Sequence, residues 1–179
     1  MLNADNTILV VIDIQGNLYQ SMDDKLFLLE NNRKIIRGVS VFGIPLVVTE
    51  QTPHKLGPTI PEIGELLGGA ALIAKASFSS WKNKDFVRAV KMHTRKDILV
   101  AGIEAHVCVY QTVMDMLAEG YRVHVVADAV SSRTARNREI GMARMRDAGA
   151  AIVSTEMVLF ELLQTAESDK FKDIFKIVK

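Results

Sequence analysis

Three residues of this chain have side chains that together could carry out nucleophilic catalysis. Cys108, the only cysteine, lies in the segment AGIEAHVCVYQTVMDMLAEG, between an apolar run and a helical pattern. A cysteine attacks as its thiolate, so it needs a group to take its proton. Asp13 could accept that proton, and Lys75 could balance the charge of the carboxylate. The hypothesis is a Cys108 nucleophile with Asp13 as base and Lys75 in support.

The same three residues also have ordinary explanations. Free cysteine is among the most buried residue types, so packing alone would account for Cys108. Asp13 could cap a turn, and Lys75 could be a solvated strand end, a role for which Lys82 and Lys84 compete. The catalytic hypothesis makes a sharper prediction. A helix that begins near Cys108 and the charge of Lys75 should lower the thiol pKa below its reference value of about 8.5.

Short apolar runs alternate with helical patterns along the whole chain. The runs are continuous and rich in Val and Ile, as in strands buried on both faces. They cover residues 7–13, 45–50, 71–75, 97–102, 122–128 and 150–155. Helical spacing covers 26–42, 107–119, 134–148 and the tail 169–179. This alternation predicts a single α/β domain over residues 1–179, with a doubly wound, mainly parallel six-stranded sheet and helices on both faces, a Rossmann-like three-layer sandwich.

The polar residues at the strand ends give this architecture a candidate site. In an open α/β sheet, ligands bind beyond the carboxyl ends of the strands. The first three runs end in Asp13, Glu50 and Lys75, the fourth leads to Cys108, and the fifth ends in Asp128. A carboxylate, an amine and a thiol thus converge on the edge where sites form. This convergence favours the catalytic explanation over three separate structural ones.

Further residues near that edge are candidates for contact with a substrate. Residues 51–70 hold three of the four prolines and are predicted to be mostly loop, and a loop of this length is often functional. Gln15 and Gln51 follow strand ends and could orient a substrate amide. Phe78 could line the pocket, although an aromatic residue there is as often plain packing. Arg133 is expected to be structural or to lie at a subunit contact.

Composition excludes several classes of function. The 179 residues carry a net charge of +1, so no nucleic-acid or membrane partner is expected. One cysteine cannot form an internal disulfide, which is typical of a reducing compartment. No apolar run approaches the ~20 residues that span a bilayer, and the start MLNADNT lacks the layout of a signal peptide. These features predict a cytoplasmic protein.

Taken together, the segments resemble the isochorismatase-like superfamily of cysteine hydrolases, which includes nicotinamidases and related amidohydrolases. The resemblance extends from LVVIDIQ to the final helix. VVIDIQ resembles the strand with the catalytic Asp, here Asp13, and AKASFSS the segment with the catalytic Lys, here Lys75. The block GIEAHVCVYQTVMDMLAEGYRVHVVADAVSSR resembles the segment with the nucleophile, here Cys108. VTEQTPHKLGPTIPEIG resembles the subgroup of isochorismatase domain-containing proteins.

The resemblance implies a reaction mechanism and an assembly. Asp13 would take the proton of Cys108, and the thiolate would attack the carbon of a small amide and form a thioester. Backbone N–H groups of Glu104 and Cys108 would hold the oxyanion, with a cis peptide at Ile103–Glu104. An amine would leave and water would hydrolyse the thioester. The expected partners are a small-molecule substrate and further copies of the chain in a homo-oligomer.

The chain departs from the nicotinamidase pattern where those enzymes carry a metal motif. Glu50 and His54 occupy that place and match a metal site poorly, so no metal and no other cofactor is expected. Cys108 argues against vinyl ether hydrolysis, since true isochorismatases lack this cysteine. Two alternatives remain: a binding or interaction protein with little or no turnover, and a redox sensor that would need an outside thiol.

Overall fold

One six-stranded sheet organises all 179 residues, which the computed structural model describes in full. The strands are β1 Thr7–Ile12, β2 Leu46–Gln51, β3 Ala71–Lys75, β4 Asp97–Ile103, β5 Arg122–Ser131 and β6 Ala151–Val153. Their order is β3-β2-β1-β4-β5-β6, and every neighbouring pair is parallel. The two central strands, β1 and β4, are buried along their whole length. That burial explains why the apolar runs are continuous.

Nine helices surround the sheet. They are α1 Gly16–Gln20, α2 Lys25–Val41, α3 Pro53–Leu56, α4 Pro61–Gly64, α5 Lys84–Lys91, α6 Tyr110–Ala118, α7 Ala135–Asp147, α8 Thr155–Leu163 and α9 Phe171–Val178. Side chains of α2, α8 and α9 pack on one face of the sheet with Leu9 and Val11. Side chains of α5, α6 and α7 pack on the other face with Ile8 and Val10. The predicted three-layer, doubly wound architecture is confirmed.

Several element bounds differ from the prediction. Segment 51–70, predicted to be mostly loop, contains the one-turn helices α3 and α4, each with proline in its first turn, where a missing N–H costs nothing. The predicted helix 107–119 is a π-helical turn, Ala105–Val109, followed by α6. The helices α1, α5 and α8 were not predicted. No helix has both the length and the apolar character needed to cross a membrane.

The strand order reverses between β1 and β4, and such a switch point is where doubly wound folds bind ligands. Asp13 follows β1, and the turn Ala105–Val109 follows β4. Gly102, near the end of β4, allows the carboxyl ends of the two strands to lie side by side. It pairs with Ile12 at a φ of +115°, and a Cβ at this position would overlap the Ile12 backbone. The fold therefore brings the two predicted reactive groups to one point.

A bulge in β5 brings the end of that strand to the same place. Val100 of β4 pairs with Val125 and Gly102 pairs with Val130, so β5 has extra residues between these pairs. Asn32 supports the bulge by donating to the Ala129 carbonyl at 2.9 Å. Beyond the bulge, residues 131–133 lie alongside the start of the turn Ala105–Val109.

Candidate active site

Lys75 and Asp13 form a buried ion pair at the carboxyl edge of the sheet. Lys75 Nζ lies 2.6 Å from Asp13 Oδ2, and neither side chain reaches solvent. The ammonium also donates to Gln51 Oε1 at 2.7 Å and faces the carbonyls of Ser77 and Phe78, each at 3.3 Å. A buried charge is stable only when it is paired and hydrogen-bonded, and this ammonium is both. Lys75, rather than Lys82 or Lys84, is therefore the lysine that meets Asp13.

The backbone and a neighbouring strand fix the orientation of Asp13. Its φ of +54° lies in the left-handed region, which Asp tolerates better than most residues. The Gln15 N–H donates to the Asp13 carbonyl at 2.8 Å and holds this conformation. Thr49 Oγ1 donates to Asp13 Oδ1 at 2.6 Å. Thr49 was not predicted as a site residue. Its place directly after the apolar residues Leu46, Val47 and Val48 of β2 was the only sequence signal for it.

Cys108 lies in the tight turn Ala105–Val109, which we call the nucleophile turn after the role proposed below for this residue. Val107 and Val109 both donate their N–H groups to the Glu104 carbonyl, at 3.0 and 3.2 Å. Helix α7 packs directly against this turn. A Cβ on Gly141 of α7 would lie 2.8 Å from the Ala105 oxygen, so only glycine allows this approach. Cys108 is 6% exposed.

The electrostatic surroundings of Cys108 keep the thiol protonated. The pKa of the thiol is raised to about 12, chiefly by burial, and the negative charge of Asp13 and a hydrogen bond to it act in the same direction. The charge of Lys75 lowers the pKa but does not prevail. The prediction of a lowered thiol pKa is therefore wrong. Lys75 is neutralised by Asp13 at 2.6 Å, so little of its charge is left to stabilise a thiolate.

Glu104 supplies a free backbone donor next to the thiol. The Ile103–Glu104 peptide is cis, as the resemblance implies. The Glu104 N–H donates to no acceptor within the chain. Its buried carboxylate accepts hydrogen bonds from Arg133, at 3.0 Å from Nε and 3.3 Å from the backbone N–H. A backbone N–H without an acceptor has the capacity to bind an oxyanion.

The two predicted glutamines are engaged inside the protein. Gln15 is fully buried; its Nε2 donates to the carbonyls of Gln51 and Gly57, at 3.2 and 2.6 Å, and its Oε1 accepts from the Gln51 N–H at 2.6 Å. Gln51 donates to the Ala76 carbonyl at 2.7 Å and accepts from Lys75. This geometry favours a bracing role for both glutamines over contact with a substrate.

Phe78 is the predicted contact residue that faces solvent. It is 55% exposed, whereas its carbonyl faces Lys75. It borders a cleft of about 280 Å³ between the segment after β3 and the first turns of α6. The other residues that line this cleft are Ser77, Ser79, Lys82, Tyr110, Gln111, Met114 and Asp115. Lys82 and Asp115 pair at 3.2 Å, so the cleft has no unbalanced charge.

Glu50 and His54 do not form a metal site. Glu50 Oε1 accepts hydrogen bonds from the N–H and the hydroxyl of Thr59, at 2.7 and 2.8 Å, and thereby ties the loop to β2. No group of three or more His, Cys, Asp or Glu side chains is arranged to hold a metal ion. His106, two residues before Cys108, places its Nδ1 2.9 Å from Ser132 Oγ.

Comparison with known proteins places this chain in a family. The model of the isochorismatase domain matches residues 7–157. The chain therefore belongs to the isochorismatase-like hydrolase family. It is 33% identical over 177 residues to isochorismatase domain-containing protein 2 of Danio rerio, a match that covers 99% of this chain and 89% of the relative. This likeness also supports the subgroup that the sequence resembles, the isochorismatase domain-containing proteins.

Other relatives have been described in different terms. A secreted isochorismatase effector of Phytophthora sojae is 36% identical over 181 residues, covering 97% of this chain and 85% of the relative. The structure of the MAR1 ribonuclease from Caenorhabditis elegans superposes with a TM-score of 0.94 at 33% identity, covering 99% and 91% of the two chains. The octameric YcaC hydrolase of unknown specificity from Escherichia coli has a TM-score of 0.93 at 26% identity, covering 98% and 89%.

Proposed function

We propose that this protein is a cysteine hydrolase that cleaves a C–N bond of a small amide through a Cys108 thioester. The observation that carries the proposal is the buried pair of Asp13 and Lys75 at 2.6 Å, at the switch point beside Cys108. Burying an ion pair costs free energy that packing an apolar pair would not. A catalytic role for the carboxylate explains why this pair occupies the core.

The first step couples proton transfer to attack. Because the Cys108 pKa is about 12, the resting nucleophile is the thiol and not the thiolate. As the sulfur bonds to the substrate carbon, the thiol proton moves to Asp13 and the C=O electron pair moves to oxygen. The N–H groups of Glu104 and Cys108 stabilise that oxyanion. Lys75, at 2.6 Å, balances the charge of the Asp13 carboxylate until that carboxylate receives the proton.

The second step releases the amine, and the third regenerates the enzyme. The oxyanion re-forms its C=O bond, the C–N bond breaks, and the leaving nitrogen takes the proton from Asp13. Water then attacks the thioester carbon while Asp13 accepts a proton from the water. The C–S bond breaks, the proton returns to Cys108, and a carboxylic acid leaves. Asp13 thus acts first as base, then as acid, and again as base and acid in deacylation.

The substrate we propose is small and carries no net charge. Phe78, Tyr110 and Met114 line the cleft together with polar side chains, and its one ion pair is internally balanced, which favours a neutral, partly apolar group. Phe78 is our proposed contact with the substrate. Gln15 and Gln51 are proposed to hold Asp13 and Lys75 in place.

A second candidate function is binding without turnover. The observation that favours it is the low reactivity expected of a buried thiol with a raised pKa. A binding protein on this fold would hold its ligand beside Cys108 and form no covalent intermediate. The two functions therefore differ in whether Cys108 can be acylated.

The decisive experiment treats the protein with p-nitrophenyl acetate, an activated ester. Acylation releases p-nitrophenolate and leaves an acetyl group on the protein, which mass spectrometry can locate. We expect an acetyl adduct at Cys108 that disappears on further incubation, and none in Cys108→Ala. A panel of small amides, monitored for ammonia or amine release, then identifies the substrate. Wild-type protein that never forms the adduct would support the binding function.

We also propose an assembly and a location. The octameric YcaC hydrolase supports a homo-oligomer for this chain, and light scattering coupled to gel filtration would give its number of subunits. The lone cysteine supports a reducing, cytoplasmic setting, although the relative from Phytophthora sojae is described as secreted. Fractionation of the source cells would decide between the two.

A further inference from the structure

The oxyanion-hole residue Glu104 is held by a residue from another strand. Arg133 donates to Glu104 Oε2 twice, from Nε at 3.0 Å and from its backbone N–H at 3.3 Å. The Glu104 side chain is 10% exposed and that of Arg133 is 59% exposed. A buried carboxylate with two donors from one residue has little freedom to rotate.

A second contact joins the same two segments. His106 Nδ1 lies 2.9 Å from Ser132 Oγ. Residues 132 and 133, which follow the bulged strand β5, thus hold residues 106 and 104 of the segment that contains the nucleophile turn. Helix α7, which begins two residues after Arg133, packs against the same turn through Gly141.

We infer that Arg133 is a positioning residue for the oxyanion hole: it anchors the Glu104 side chain so that the Glu104 N–H stays directed at the reacting carbonyl oxygen. This inference rests on the proposed function. The direction of the Glu104 N–H depends on the backbone torsion angles around residue 104. A Glu104 side chain that is held at its carboxylate restricts those torsion angles. Anchoring the carboxylate therefore also anchors the donor.

Arg133 has an electrostatic effect in the same place. The Glu104 carboxylate lies close enough to Cys108 that its charge contributes to the raised pKa of the thiol. An unpaired anion there would also oppose the negative charge that develops on the substrate oxygen. The guanidinium offsets this charge at 3.0 Å. Loss of Arg133 should therefore harm a reaction that forms an oxyanion more than one that does not.

Two probes separate these reactions. Acylation by p-nitrophenyl acetate forms an oxyanion, whereas alkylation by iodoacetamide displaces iodide from a saturated carbon and forms none. Both modify Cys108, the only cysteine. The variants are Arg133→Met, Arg133→Lys and Glu104→Gln, with Arg136→Met as matched control. Arg136, in α7, is exposed, and its side chain makes no hydrogen bond or ion pair within the chain.

For Arg133→Met we expect the acylation rate to fall about tenfold more than the alkylation rate, a fraction of the roughly 100- to 1,000-fold cost of losing one oxyanion donor. Arg133→Lys should restore part of the loss, because it returns the charge. Glu104→Gln, which keeps the backbone donor and an acceptor for Arg133 but removes the anion, should lower acylation less than Arg133→Met does, and the double variant should be no worse than Arg133→Met alone. Arg136→Met should match wild type.

Three results would overturn the inference. One is unchanged acylation in Arg133→Met. Another is an equal fall in both rates, which would mean a general disturbance of the turn; circular dichroism and thermal unfolding of each variant would check for this. The third is additive losses in the double variant. Wild-type protein that iodoacetamide alkylates but p-nitrophenyl acetate does not acylate would overturn the proposed function itself.

Discussion

The Thr49 hydroxyl and the Asp13 carboxylate form a hydrogen bond of 2.6 Å between two fully buried side chains. Thr49 binds Oδ1, and Lys75 binds Oδ2 at the same distance. Each oxygen of the proposed base therefore has one strong donor, and the carboxylate is held in a single orientation. Both donors come from strands adjacent to one another, β2 and β3, so the sheet itself sets the geometry of the base.

Replacement of Thr49 by Val removes this hydroxyl and keeps the shape of the side chain. A lost hydrogen bond to a buried charged group should lower the free energy of unfolding by about 1.5–3 kcal/mol. The rate of acylation by p-nitrophenyl acetate should also fall, because Asp13 can rotate. Urea unfolding and p-nitrophenolate release measure the two effects. Thr49→Ser, which keeps the hydroxyl, should lose less of both; a wild-type acylation rate in Thr49→Val would mean that Thr49 does not orient the base.

Replacement of Asp13 by Asn should change two reactions of Cys108 in opposite directions. The charge of Asp13 and the hydrogen bond to it both raise the thiol pKa, and the charge of Lys75 lowers it. The variant should therefore have a lower thiol pKa, and iodoacetamide should alkylate it faster at mildly alkaline pH. Turnover should be lost, because Asn cannot accept the proton. A pH–rate profile for alkylation, beside steady-state assays, tests both; slower alkylation in the variant would contradict the charge balance described above.

Gly141 should be intolerant of even one methyl group. A Cβ there would lie 2.8 Å from the Ala105 oxygen and 3.0 Å from His106 Cα. Gly141→Ala should push the nucleophile turn away from α7, lower the free energy of unfolding by about 1–3 kcal/mol, and lower the acylation rate. Gly64→Ala is the matched control, since nothing lies within 4 Å of its added Cβ. Similar behaviour of the two variants in thermal unfolding and acylation would argue against this packing constraint.

Asp97 supports stability at the opposite edge of the sheet. Burial raises its pKa, but the hydrogen bonds and charges of Arg122 and His124 outweigh burial, and the pKa is lowered. A lowered folded-state pKa means that the stabilisation is complete above the unfolded pKa of about 4 and is lost as pH falls through the folded-state value. Asp97→Asn should cost about 1–2 kcal/mol at neutral pH, a modest value because Arg122 is 63% exposed. The difference from wild type should shrink below about pH 4, as urea unfolding at several pH values would reveal. A constant difference would mean that the charge of Asp97 is not the source.

The sequence predicted the secondary structure best where the burial of apolar side chains alone determines the element. Continuous apolar runs located all six strands, but burial on both faces, which the runs also predicted, is wrong for the edge strands β3 and β6, whose residues are mostly exposed or half-buried. Strand β5 extends to Ser131 because its bulge breaks the pattern. The short helices α1, α3 and α4 were missed or read as loop because one turn shows no periodicity. Asp13 and Lys75 were predicted to meet because parallel strands end at one edge, and the structure brings them into contact.

The site properties that sequence could not supply depend on distances and burial. The thiol pKa was predicted in the wrong direction, since the charge of Lys75 was counted without its neutralisation by Asp13. Gln15 and Gln51 were placed near the substrate because their types suit an amide. Their partners, Gly57 and Lys75, are distant in sequence, and only the folded structure shows that these hydrogen bonds already use their amides.

The hydrogen bond between Gln15 and the loop limits how this loop could be exchanged for that of a relative. Gln15 follows Asp13 by two residues and donates to the carbonyl of Gly57, while Ile14 accepts from the Ile60 N–H at 3.0 Å. These hydrogen bonds join residues 13–15 to residues 57–60, so a change in the position of one segment displaces the other. A chimera that takes residues 51–60 from a relative to alter substrate preference would need the donor's residues 13–15 as well. Exchange of the loop alone would disturb the base whenever the new loop positions its carbonyls differently.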